Sequence, residues 1–128
     1  MLTQVAAQMP PVQAVDGFEI AHQIALPDFG AEITQAQYDR LARLLAVRSG
    51  LLDAAFNEQR TEAQELRAQA TIEEVSAALV HDDGAKPWVA KDLRGRLAEA
   101  NARKRYAQEK RVQYQMEIAA LSAALKGQ

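Results

Sequence analysis

The stretch His81-Asp82-Asp83-Gly84-Ala85-Lys86-Pro87 is the break around which the chain is organised. Its glycine, aspartates and proline interrupt helical periodicity, and Pro87 suits the first turn of a new helix. On either side, residues 34 to 81 and 87 to 126 carry apolar residues at three-or-four spacing. If the chain reverses near residue 84, a position i on the first arm faces a position j on the second with i + j near 168. Nine apolar pairs meet this condition, with sums between 166 and 170: Leu79–Val89, Val75–Leu93, Ala70–Leu97, Leu66–Ala100, Ala63–Ala107, Phe56–Tyr114, Leu52–Ile118, Leu45–Leu121 and Leu41–Leu125. The fold class expected is mainly α, a long antiparallel helical hairpin of coiled-coil type with its turn near 82–87.

Working back from the turn, the first arm begins at Thr34, which with Gln37 has capping-box spacing. Tyr38, Leu41, Leu45, Leu52, Phe56, Ala63, Leu66 and Ala70 are its expected seam, interrupted by Arg48 and Gln59. Ser49-Gly50 predicts a bend, and a second cap signal at Thr71 and Glu74 predicts two helices meeting near residue 71. Working forward, Leu93, Leu97, Ala100, Lys104, Ala107, Arg111, Tyr114, Ile118, Leu121 and Leu125 form a heptad seam with two cations in its middle. Glu58, Glu62 and Glu65 are expected opposite Lys110, Arg105 or Tyr106, and Arg103, and Glu73 and Glu74 opposite Arg94 and Arg96. At 1.5 Å per residue, arms of about 40 residues give roughly 60 Å of paired helix. Such a pair buries little by itself, so it is expected to pack against copies or a partner.

Residues 1–33 read as an extended N-terminal arm. The first fifteen residues carry no charge and contain Met9-Pro10-Pro11. Alternation over residues 18–26 places Phe18, Ile20, His22, Ile24 and Leu26 on one side and predicts one short β-strand. A lone strand needs another sheet edge, so Phe18, Ile20, Ile24 and Leu26, with Trp88 beside the turn, are the candidate partner or oligomer interface.

The 128 residues fit one domain with 48% hydrophobic but only 5% aromatic residues, a balance suited to packed helices. The net charge of -2 gives no overall bias toward nucleic acid or anionic membrane. With no cysteine, disulfides, thiolate metal sites and cysteine nucleophiles are excluded. No basic leader and no apolar run of about 20 residues is present, so the expectation is a cytoplasmic or virion protein without membrane association.

Three groups of residues bear on chemistry. His81-Asp82-Asp83 offers three possible metal ligands in one loop, but His22 is the only other histidine, and a polar turn is the preferred reading. Glu58, Glu62, Glu65, Glu73 and Glu74 resemble the helical carboxylate clusters with which all-helical nucleotide pyrophosphohydrolases hold magnesium. That pattern requires a second acidic pair on a later helix, where this chain has Arg and Lys, so neither a metal nor another cofactor is expected. Arg96, Arg103 and Lys110 recur every seven residues and, with Lys104 and Arg111, are the candidate phosphate-binding residues. Pairing with the opposite glutamates is the competing role for them. No phosphate loop or catalytic triad pattern is present, and no enzymatic activity is expected.

The layout of arm plus hairpin resembles small head, tail or internal virion proteins of bacteriophages and, more loosely, helical-hairpin accessory proteins of secretion machines. The resemblance is one of layout and transfers no residue-level function. It implies a non-enzymatic structural or adaptor protein that forms homo-oligomers or docks with other assembly proteins. The alternatives are a nucleic-acid-binding module using the basic stripe and a magnesium-dependent helical hydrolase using the glutamates.

Overall fold

A computed structural model describes residues 16–28, 30 and 32–127. Of the expected extended arm over residues 1–33, residues 1–15, 29 and 31 lie outside the described residues. Three helices follow in order: α1 (Gly17–Gln23), α2 (Gln35–His81) and α3 (Pro87–Lys126). Among the described residues there is no strand. The two long helices pack as an antiparallel hairpin, and the chain divides into two compact units, Met1–Asn57 with Gln113–Gln128, and Glu58–Val112.

The helix boundaries have local causes. At the start of α2, Thr34 Oγ1 accepts from the Gln37 N–H at 3.2 Å, while Gln37 Oε1 accepts from the Thr34 N–H at 2.9 Å. This reciprocal box satisfies two donors that a helix start otherwise leaves without partners. Beyond His81, Asp83 Oδ1 accepts from the Ala85 N–H at 2.9 Å, and Gly84 adopts φ 73°, a left-handed conformation that glycine takes without a Cβ penalty. Pro87 then opens α3, where its missing N–H costs nothing.

Between these ends α2 is one continuous helix, so the expected junction of two helices near residue 71 is corrected. Thr71 does not cap a second helix, because its hydroxyl donates back to the Arg67 carbonyl at 3.1 Å. Gly50 serves close packing. A Cβ built there meets Leu121 Cδ1 at 3.0 Å, so the missing methyl is the space into which Leu121 fits.

The expected strand over residues 18–26 is corrected to the helix α1. Asp16 caps it, with Oδ1 accepting from the Phe18 and Glu19 N–H groups at 3.0 and 3.3 Å. Gly17 and Ala21, one turn apart, are its buried residues, and His22 is exposed rather than on an apolar side. A seven-residue helix has little stability alone and is held by what it packs on. In the first unit, Ala21 joins Leu51, Ala54, Ala55 and Ile118 in the core, with Phe18, Ile20 and Ile24 packed around it. The approach is close: a Cβ on Gly17 meets Ala55 Cβ at 3.0 Å and the Leu51 carbonyl oxygen at 3.2 Å. Leu51 and Ile118 are fully buried, contributing about 1.5–3 kcal/mol each.

The second unit is built from smaller residues. Thr61, Ala68, Val75, Ala100 and Ala107 are its buried side chains, and Thr61 satisfies its hydroxyl by donating to the Glu58 carbonyl at 2.7 Å. On α3 the ten expected seam residues are all buried or half-buried. On α2 the expected seam is displaced. Leu44, Leu51, Ala55, Thr61, Ala68 and Val75 turn inward, while Tyr38, Leu45, Leu52, Phe56 and Leu66 are exposed. α2 is apolar on two faces, and the face carrying Leu44, Leu51, Ala68 and Val75 is the one turned inward.

Candidate functional site

Two features carry functional information: a polar layer inside the second unit and the outer face of α2. In the polar layer, Lys104 Nζ donates to Gln69 Oε1 at 2.7 Å, and Gln108 Nε2 donates to Glu65 Oε1 at 3.1 Å. Arg111 Nη1 lies 2.6 Å from the other Glu65 oxygen, Oε2. Oε2 has an ion-pair contact at that distance without the geometry of a hydrogen bond. These pairs have sums of 173 or 176, against the 166–170 expected, so the α2 register is offset from the apolar prediction. Glu65 therefore meets Gln108 and Arg111 rather than Arg103.

The layer accounts for two of the five candidate phosphate ligands, since Lys104 and Arg111 are half-buried and engaged across the hairpin. Arg96 and Arg103 point to solvent and pair along their own helix, with Asp92 at 3.1 Å and Glu99 at 3.4 Å. Neither takes the expected partner on α2 in those pairs. Lys110 places Nζ 5.6 Å from the centroid of the Tyr106 ring, in cation–π range. A groove of about 680 Å³ runs beside this region, with Arg67, Ala68 and Thr71 of α2 facing Ala102, Arg103 and Tyr106 of α3. Its lining is mostly apolar and includes the side chains of Arg67 and Arg103.

The other candidates separate. Phe18 and Ile20 of α1, with Ile24 just past its end, pack within the chain's own core, whereas Leu26 is exposed. Trp88 is 67% exposed beside the turn, where Val80 is exposed as well. In the loop, Asp83 is used by the turn itself, and no group of three or more His, Cys, Asp or Glu is placed to hold a metal among the described residues.

The outer face of α2 was read from the sequence as the seam. Phe56 is 60% and Leu66 is 66% exposed, with Tyr38, Leu45 and Leu52 on the same stripe. Beside it, Arg48 Nε is buried with no hydrogen-bond partner among the described residues. The signal for two apolar faces was available in the adjacent pairs Leu44-Leu45 and Leu51-Leu52, since neighbours on a helix sit 100° apart and do not face the same way. No described helix is long and apolar enough to cross a membrane. These features define a helical-hairpin protein with one buried and one exposed heptad face on its longest helix. Comparison with family models, curated proteins and solved structures finds no match to this chain.

Proposed function

We propose that the protein is a non-enzymatic structural or adaptor component that oligomerises or docks in a larger assembly through its helical hairpin. A component of a bacteriophage virion is the particular form of this reading that we propose. The observation that supports the reading is the row of large apolar side chains on the solvent side of α2, Tyr38, Leu45, Leu52, Phe56 and Leu66. Single exposed apolar residues are ordinary, but several large ones aligned along one helix face favour a surface that another protein covers.

The test is the mass in solution and what accompanies the protein on purification. Light scattering is expected to give a multiple of 14.1 kDa, or a complex with a second protein. A 14.1 kDa species that stays monodisperse and takes no partner defeats the proposal.

A further inference from the structure

We infer that the outer face of α2 pairs, antiparallel, with the same face of a second copy of this chain. The inference deepens the assembly reading and rests on it. Along α2 a four-three alternation runs from Tyr38 to Ala70, apolar except at Ser49 and Gln59, and each of its ten positions is exposed. A repeat of 3.5 residues keeps one stripe turned toward a supercoiled helical partner over its whole length, so the occupant is another long helix. One set of heptad positions holds Tyr38, Leu45, Leu52, Gln59 and Leu66. The other holds Ala42, Ser49, Phe56, Ala63 and Ala70.

These two sets complement each other. In an antiparallel pair, a residue of one set meets a residue of the other. In the register where paired residue numbers sum to 108, Tyr38 meets Ala70, Leu45 meets Ala63, and Leu66 meets Ala42. Leu52 meets Phe56, and the two polar residues, Ser49 and Gln59, meet each other. A shift of one heptad sets Gln59 against Ala42 or Phe56 and loses that match. A parallel pair would stack Tyr38 on Tyr38 and Ala42 on Ala42, alternating crowded and empty layers where close packing requires even filling.

Charge is also self-complementary beside the seam. The antiparallel register places Arg48 beside Glu62 of the second copy, and Asp39 beside Arg67. A parallel pair would instead bring Arg48 to Asp53 and Glu62 to Arg67, so the flanks favour a second copy and the seam sets its direction. The antiparallel register has one cost, Asp53 facing Asp53 at the two-fold axis. That cost makes the direction testable, because removing the charge relieves repulsion in the antiparallel pair and breaks an attraction in the parallel one.

The chain has no cysteine, so introduced thiols report unambiguously. Ser49→Cys and Gln59→Cys proteins, mixed and oxidised, are expected to form a mixed disulfide dimer, with little from either alone. Leu52→Lys is expected to weaken the dimer at least tenfold with helicity retained by circular dichroism, and Asp53→Asn to tighten it about twofold, the scale of one exposed charge pair. Cross-linking of Ser49→Cys alone as efficiently as the mixture, or loosening by Asp53→Asn, overturns the antiparallel pairing. An oligomer indifferent to Leu52→Lys and lacking the mixed disulfide overturns this surface while leaving the assembly reading intact. A monomer at about 100 μM that nevertheless copurifies with another protein does the same, since a specific homodimer is formed at that concentration. A monomer without any partner overturns both.

Discussion

The two units of the hairpin use the same pair of helices in opposite ways. In the first, Leu51 and Ile118 are fully buried and α1 adds a third layer through Gly17 and Ala21. In the second, buried positions are held by Ala, Val and Thr, and the cross-helix contacts in the middle are made by Lys104, Gln108 and Arg111 with Gln69 and Glu65. The comparison separates two tasks. Burial of large apolar groups supplies stability, whereas a paired polar layer adds little net stability but tolerates few alignments.

Perturbations that discriminate between these tasks are ordered by expected size. Ile118→Ala empties the first unit's core and should destabilise by about 2–5 kcal/mol in urea unfolding. An effect under 1 kcal/mol would show that the first unit does not carry the stability. Glu65→Ala leaves Arg111 half-buried without its carboxylate, and a loss of about 1.5–3 kcal/mol is expected. The double change Glu65→Leu with Arg111→Leu should recover most of that loss, because a buried ion pair is replaceable by apolar packing. If both variants unfold alike, the polar layer contributes by more than its mutual pairing. Gly17→Ala forces a methyl against Ala55 and the Leu51 carbonyl and should cost about 1–2 kcal/mol, at the lower end of overpacking. Amide exchange should quicken first in residues 17–23, and uniform quickening across α2 and α3 would contradict a local role for α1. Asp16→Ala removes a cap from the same helix at a cost of about 1 kcal/mol, with Asp16→Asn nearly neutral as the control.

The parts of the fold legible in the sequence are those with a single physical solution. On α3 only one stripe alternates apolar residues in threes and fours, and the ten seam residues predicted are those turned inward. The break at 82–87, the capping box at Thr34 and the proline start of α3 were likewise fixed by local chemistry. On α2 two stripes compete, and the periodicity of large residues selected Leu45, Leu52, Phe56 and Leu66, which are outside. Periodicity measures hydrophobicity along one helix, whereas burial depends on how near a second backbone can come. Ala54, Ala55 and Ala68 permit that approach and give only a weak signal themselves. For α1, alternation of Phe18, Ile20, His22, Ile24 and Leu26 masked a cap at Asp16 with Glu19 three residues on, and the small pair Gly17 and Ala21 at one-turn spacing. The polar layer was half visible: Lys104 and Arg111 stood out in the seam, but their partners depended on a register that the misread stripe displaced.

The alignment of α3 along α2 behaves like a ratchet blocked in both directions by different means. Sliding by seven residues one way would bring Gln108 and Arg111 to the level of Ile72, leaving two polar groups without partners. Sliding the other way would take Ile118 from the level of Ala55 to that of Arg48, setting a guanidinium against the largest apolar group in the core. Either shift thus sets a polar group against an apolar one, and a repetitive pair of helices keeps the alignment that avoids both.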